Sequence, residues 1–230
     1  MRRVLEVERL RFGFDPPSEV LHGVSFAVNE GECLGIVGAN GSGKSTLLWC
    51  VLGLYHAGGS VKLFGEPLSR KNRHRIGAVF QNPEDQLFMP RLLEDVALPL
   101  INRGVPASTA GKQALAALEA AGLGHAAGRP AAKLSLGERK RAAIAAALVT
   151  SPELLILDEP TAELDGRSVR RLVELLGGLT VTRLVASHDL EFLRRLGARL
   201  LVLRDGAVMA EGPAADILEN RALLEEAGLV

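Results

Sequence analysis

A glycine-rich loop at residues 38–46, GANGSGKST, satisfies the pattern GxxxxGK[ST]. It follows the apolar run 33–37 and precedes the apolar run 47–50, which predicts a strand, a loop and a helix in that order. Glycines let successive backbone N–H groups converge on phosphate oxygens at the positive end of the helix dipole. The loop therefore predicts a site for nucleotide phosphates. The residues expected to line it are Gly38, Ala39, Asn40, Gly41, Ser42, Gly43, Lys44, Ser45 and Thr46.

Two adjacent carboxylates, Asp158 and Glu159, end the apolar run 154–157. We expect Asp158 to bind Mg²⁺ through water, with Ser45 as a second ligand, and Glu159 to polarise the water that attacks the γ-phosphate of ATP. A carboxylate beside the Mg²⁺ aspartate favours hydrolysis over transfer to a substrate hydroxyl, as in a kinase. The alternative is a pair of helix-capping residues at the start of a loop.

Residues 134–141, LSLGERKR, lie between these motifs and resemble the signature sequence of ABC ATPases. Further motifs of that family are matched in order: an aromatic residue near the N-terminus at Phe14, a glutamine after a strand at Gln81, the aspartate loop at 162–165 and a histidine after a strand at His188. Each short motif is weak alone. Their order and spacing extend the resemblance over nearly the whole chain.

The resemblance implies a role for each matched residue. Phe14 stacks on adenine, Gln81 contacts Mg²⁺, and Gln81 and His188 join the acidic pair in catalysis. Two such chains pair head to tail, as a homodimer or heterodimer. Ser135 and the Gly137 N–H of one chain then complete the γ-phosphate site of the other, although Ser135 also fits a plain helix N-cap.

The resemblance also implies the fold class, which is α/β. We expect a P-loop NTPase core of RecA-like type with a mostly parallel sheet, an N-terminal antiparallel β lobe and an inserted α-helical lobe. The spacing of apolar residues agrees, because strands alternate with helices after residue 152. One ABC-type ATPase domain is expected over residues 1–230, with the core and β lobe at 1–81 and 152–212, the helical lobe at 82–151 and a helical tail at 213–230.

Four residues depart from the family pattern. Leu136 replaces the first glycine of the signature, which reduces backbone freedom, and Glu138 replaces glutamine, which places a carboxylate near an anionic ligand. Ala162 stands where serine is common and Phe14 where tyrosine is common, so two hydroxyls are missing. We expect weaker or slower closure of the dimer, but none of these changes removes a catalytic group.

Residues 80–88, FQNPEDQLF, look like the extended glutamine loop of energy-coupling-factor transporters, especially the cobalt and nickel importers, and residues 94–100 are similar to the same group. In such transporters this region grips the membrane subunits. We therefore expect residues 81–100 to contact an integral membrane partner, with Leu87 and Phe88 as an exposed apolar pair. A surface loop that merely caps the helical lobe is the alternative.

Charge and composition limit the other function classes. Basic and acidic residues number 27 each, so no global field favours nucleic acid or an anionic bilayer. The longest apolar run, 142–149, is too short to span a membrane. We expect a peripheral subunit at the cytoplasmic face of the membrane, with no nucleic acid partner.

The alternatives are an ATPase of another ABC importer or exporter, or a soluble ABC ATPase acting on nucleic acid or ribosomes. The compact insert between the two ATP motifs, without a coiled coil, disfavours the soluble class.

Overall fold

The computed structural model describes residues 2–15 and 17–230. In chain order its helices and strands are β1 (Arg3–Phe12), β2 (Leu21–Asn29), β3 (Cys33–Val37), α1 (Lys44–Val51), β4 (Gly58–Leu63), β5 (Glu66–Pro67), β6 (Ile76–Val79), α2 (Leu92–Asn102), α3 (Ala107–Ala120), α4 (Leu136–Leu148), β7 (Leu154–Asp158), α5 (Gly166–Gly177), β8 (Thr182–Ala186), α6 (Leu190–Arg195), β9 (Arg199–Arg204), β10 (Ala207–Pro213), α7 (Ala214–Glu219) and α8 (Arg221–Glu226).

The strands form two sheets. The N-terminal sheet is antiparallel, with the order β2-β1-β4-β5. The second sheet has the order β10-β9-β3-β8-β7-β6, in which only the β10–β9 pair of the described strands is antiparallel. Every residue of β3, β7 and β8 is buried. A strand that is covered on both faces is largely apolar, which explains the aliphatic residues at 154–157 and 184–186. The polar residues of these strands, Asp158, Thr182 and Arg183, lie at strand ends.

Two apolar clusters cover the faces of the second sheet. One joins the N-terminal sheet and α1 to one face, through residues such as Leu5, Leu34 and Leu47. The other joins the opposite face to the remaining helices, through residues such as Leu118 and Leu157. The sheet therefore lies between the antiparallel lobe and the helices, and the carboxyl ends of β3, β7 and β8 share one edge.

This architecture confirms the expected α/β class, with its mostly parallel core sheet, antiparallel N-terminal sheet and inserted helices α2 to α4. The apolar pattern did not predict the partly exposed edge strand β10, which pairs with β9. Among the helices in the described ranges, none combines the length and the apolar character needed to cross a membrane.

Candidate active site

The phosphate loop leaves β3 at Val37 and enters α1 at Lys44. At Gly38, a Cβ atom would lie 2.2 Å from the Leu203 carbonyl oxygen, so any larger residue would displace the backbone. Gly43 has φ +101°, a left-handed conformation that strains other residues. The two glycines thus permit a tight turn close to the strand that contains Leu203, and α1 begins directly after this turn.

Lys44 crosses the loop that precedes it. Its Nζ donates to the carbonyl oxygens of Gly38 at 2.8 Å and Ala39 at 3.1 Å, and lies 4.0 Å from Glu159 Oε1. The side chain is 7% exposed. Burial is the main influence on the pKa of Lys44 and lowers it, while the nearby carboxylates of Glu159 and Asp158 act in the opposite direction. A cationic donor is therefore fixed at the centre of the loop.

Ser45 and Asp158 come from different elements and meet at the edge of the core sheet. Ser45 Oγ donates to Asp158 Oδ1 at 3.1 Å. Burial raises the pKa of Asp158, and the hydrogen bond from Ser45 counteracts this. Two adjacent oxygen ligands beside a phosphate site suit Mg²⁺, which binds proteins through a few oxygens and completes its shell with phosphate and water. Gln81, whose side chain carries an amide oxygen, lines the same cleft as Ser45.

The carboxylate of Glu159 lies between the side chains of Lys44 and His188. His188 Nδ1 lies 2.8 Å from Glu159 Oε2, and the His188 backbone N–H donates to the same oxygen at 3.4 Å. Lys44 faces the other oxygen. Glu159 itself has φ +45°, so this non-glycine residue is in the left-handed region. The carboxylate is thereby held at the mouth of the phosphate loop.

A cleft of about 480 Å³ contains these groups. Phe14 lies at its rim, 56% exposed, with its ring edge-on to Phe12 at 5.0 Å and to Tyr55 at 5.5 Å between centroids. These contacts support the ring of Phe14 and leave much of its surface open to a ligand. The described residues that line the cleft are Phe14, Val20, Asn40, Gly41, Gly43, Lys44, Ser45, Thr46, Gln81, Glu159, Ala162 and His188.

Ser135 and Gly137 are absent from the described residues that line this cleft and lie at the start of α4. Ser135 is exposed and caps the helix: Glu138 N–H donates to Ser135 Oγ at 3.3 Å, while Ser135 N–H and Oγ donate to Glu138 Oε2 at 2.9 Å and 2.8 Å. The carboxylate that replaces glutamine therefore belongs to a capping box. Its Oε2 is engaged by Ser135, and the expected effect of this carboxylate on an anionic ligand of a second chain stays a prediction.

Leu136 is the first helical residue of α4. Its backbone is helical, a conformation that leucine adopts without strain, so the position does not require glycine. The backbone of the single chain is therefore unstrained at Leu136, and the expected effect of this residue on dimer closure, which involves a second chain, stays a prediction. The leucine side chain is half-buried in a cleft between the two lobes, which it shares with Gln81 and Ala162.

The expected exposed apolar pair at 87–88 is wrong for one of its two residues. Leu87 is 6% exposed and packs into the apolar cluster of the helical lobe, whereas Phe88 is 66% exposed. Gln86 is occupied locally, because its amide accepts from Phe80 N–H and donates to the Ala78 carbonyl, both at 2.9 Å. Only the Phe88 side chain of these three is presented outward.

Asp95, which the sequence analysis did not single out, holds this segment. Its Oδ1 accepts from the backbone N–H groups of Phe88 at 2.8 Å and Met89 at 2.9 Å. Asp95 is buried, and burial raises its pKa despite these two hydrogen bonds. The turn that displays Phe88 is thus fixed from within the helical lobe.

An apolar groove of about 490 Å³ lies beside the glutamine loop. Trp49, Leu54, Tyr55 and Phe80 supply its apolar surface, and Leu54 is exposed. Gln81 lines both this groove and the nucleotide cleft. One short loop therefore joins a candidate ligand site to a candidate partner surface.

The fold and site together define a nucleotide-binding P-loop ATPase. A profile of the ABC transporter family matches residues 21–162, and the chain belongs to this family. An ABC transporter ATP-binding protein of Geobacter sulfurreducens is 41% identical over 226 residues, which cover 96% of this chain and 91% of that protein. The energy-coupling factor transporter ATP-binding protein EcfA of Carboxydothermus hydrogenoformans is 39% identical over 237 residues, covering 100% and 87% of the two chains.

Solved structures agree. CbiO1 of Clostridium perfringens, part of the ABC transporter complex CbiONQ, has a TM-score of 0.86 and 32% identity over 100% of this chain and 96% of its own. A dimeric ATP-binding cassette in a post-hydrolysis state with ADP and Pi has a TM-score of 0.81 and 29% identity, covering 91% and 98% of the two chains. The chain is therefore an ATP-hydrolysing subunit that powers an ABC transporter, and ATPases of this class pair with each other and with membrane subunits.

Proposed function

We propose that this chain is the ATPase of an energy-coupling-factor-type importer of cobalt or nickel. The full-length similarity to CbiO1, with a TM-score of 0.86, is the observation that carries this branch, and the likeness to EcfA supports it. The sequence of residues 80–88 points the same way. We further propose a single ABC-type ATPase domain, with the lobes assigned from the sequence at 1–81 with 152–212, 82–151 and 213–230.

ATP occupies the cleft at the phosphate loop in this proposal. Adenine stacks on Phe14, and the backbone N–H groups of residues 38–46 receive the phosphates. The ammonium of Lys44 lies where it can face the β- and γ-phosphates, since it already spans the loop. Ser45, Asp158 and Gln81 would hold Mg²⁺, which neutralises developing phosphate charge when bound.

Glu159 is the proposed base for water. Its carboxylate orients a water molecule and takes a proton from it as the water oxygen bonds to the γ-phosphorus and the bond to ADP breaks. His188 fixes that carboxylate, because its ring and its backbone N–H both contact Oε2. The contact of Glu159 with Lys44 and His188 is the observation that supports hydrolysis.

The signature belongs to the other site of a dimer in this proposal. Ser135 is exposed, and neither it nor Gly137 lines the chain's own cleft among the described residues. The amino-terminal turn of α4 can therefore face a γ-phosphate bound to a second ATPase subunit, identical or homologous. Ser135 must then exchange its bond to Glu138 for one to the nucleotide.

Integral membrane subunits are the proposed partners of the 81–100 region. The groove lined by Trp49 and Phe80 lies beside this region, and Phe88 adds an exposed aromatic side chain. Buried aromatic anchors dominate many protein interfaces. We place the chain as a peripheral subunit at the cytoplasmic face of the membrane, with no nucleic acid partner.

The test uses cells that express the chain with its candidate membrane subunits. We expect ATP-dependent uptake of cobalt or nickel. Glu159→Gln should abolish uptake and lower ATP hydrolysis by about 100- to 1,000-fold, while ATP binding by the purified chain persists. Near wild-type hydrolysis in this variant would remove Glu159 from the proposed role. Active hydrolysis without uptake of either metal would reject the importer branch.

A further inference from the structure

Lys140 is a buried cation with no part in the hydrolysis proposed above. It lies on α4, is 3% exposed, and its Nζ donates to the backbone carbonyl oxygen of Glu159 at 2.9 Å. Burying a charge is costly unless the charge is paired and hydrogen-bonded. Burial lowers the pKa of Lys140, and the carboxylates of Glu163, Glu159 and Asp158 act against that change. The ammonium is thus held at the acidic end of β7.

The backbone that Lys140 contacts is in an unfavourable conformation. Glu159 has φ +45°, which costs a non-glycine residue free energy and persists only where the surroundings enforce it. Three hydrogen bonds hold the backbone of Glu159: its N–H donates to the Ala186 carbonyl at 2.8 Å, and its carbonyl accepts from Lys140 Nζ at 2.9 Å and from the Ala162 N–H at 3.2 Å. Together they fix the direction in which the Glu159 side chain leaves the backbone.

We infer that Lys140 is a positioning residue for Glu159, holding the left-handed turn that directs the carboxylate at the water site. This inference rests on the proposed function, in which Glu159 activates water. It also gives α4 a second role. Ser135 and Lys140 lie on one rigid helix, about 7.5 Å apart along its axis. The helix that carries the signature for one ATP site is therefore bonded directly to the hydrolytic residue of the other site.

The central experiment is Lys140→Met, which keeps an apolar stem and removes the donor. We expect kcat for ATP hydrolysis to fall about 10- to 100-fold, because small displacements of a catalytic group have effects of that size. KM for ATP should stay within about twofold, since no nucleotide contact is lost. Lys140→Arg, which retains a cationic donor, should recover most of kcat.

Arg183→Met is the matched control. Arg183 is buried on β8, and its Nη1 donates to the Leu176 carbonyl at 2.6 Å, away from the phosphate loop and the signature. Its replacement likewise removes a buried bond from a cation to a carbonyl oxygen, but leaves Glu159 untouched. We expect a comparable fall in Tm with unchanged kcat. A kcat for Lys140→Met as high as that of Arg183→Met overturns the inference.

A double-variant cycle tests whether Lys140 acts through Glu159. In a Glu159→Gln background, single-turnover hydrolysis should lose nothing further on Lys140→Met, because the group being positioned is already gone. If the rate losses of the two single variants multiply in the double variant, the inference is overturned. If Lys140→Met does not fold, Lys140→Leu, which also lacks a donor, replaces it in every assay, and full kcat in the folded variant has the same meaning. Wild-type hydrolysis by Glu159→Gln alone is a separate result, because it rejects the proposed function itself.

Discussion

The substitution Phe88→Ala should weaken binding of the membrane subunits without lowering the stability of the isolated chain. Phe88 is 66% exposed in this chain, so about two thirds of its apolar surface can still be buried by a partner. Burying a whole phenylalanine side chain contributes up to about 3 kcal/mol, which leaves roughly 2 kcal/mol for the complex. This corresponds to roughly 30-fold weaker assembly with the membrane subunits. ATP binding and Tm of the isolated chain should stay unchanged.

The neighbouring substitution Leu87→Ala provides the contrast. Leu87 is 6% exposed inside the helical lobe, so its truncation should cost about 2–5 kcal/mol of folding free energy. The assays are Tm of each purified variant, co-purification with the membrane subunits and metal uptake in cells. Full assembly and uptake by folded Phe88→Ala would refute the assignment of this surface. A large fall in the Tm of Phe88→Ala would show instead that the residue serves the fold.

Two further variants address the nucleotide sites. Lys44→Ala should weaken ATP binding by about 10- to 100-fold, since a charged hydrogen-bond donor at the phosphates is lost, and unchanged affinity in equilibrium binding would contradict its place in the loop. Leu136→Gly should lower the free energy of unfolding by about 0.5–1 kcal/mol, because glycine is a poorer helix former. If Leu136 restrains closure, ATP-dependent dimerisation in a Glu159→Gln background should strengthen in this variant, and no gain would show that the leucine is accommodated without strain.

The sequence predicted the elements that have strong local signals. The strand, loop and helix around the phosphate loop need glycines and a buried strand at fixed positions, and those requirements are local. The carboxylates at the end of β7 were recognisable because a buried strand ends in two charges. The parallel sheet followed from alternating strands and helices, and the structure brings Lys44, Asp158, Glu159 and His188 together at its edge.

Tertiary contacts decide the remaining features. Leu87 and Phe88 are adjacent apolar residues in a turn without periodicity, so only the packing of α2 determines which of them is buried. Lys140 lies within a run of three basic residues, a pattern typical of an exposed helix face. Its bond to Glu159 depends on how α4 packs, because the two residues are 19 positions apart in the chain. Asp95 likewise acts on backbone groups of another segment. The assigned functions of Ser135 and Gly137 stay predictions, since they concern a second chain.

The bonds that Lys44 makes within its own loop have a consequence for the entropy of nucleotide binding. Its ammonium bonds to the Gly38 and Ala39 carbonyls and thereby cross-links the loop. A loop that is already ordered loses little conformational freedom when a ligand arrives, so more of the phosphate interaction remains as net affinity. Under the proposed function, ADP and ATP share this loop, and discrimination between them rests on the groups proposed to surround the γ-phosphate: Lys44, Glu159, His188 and the signature of the partner.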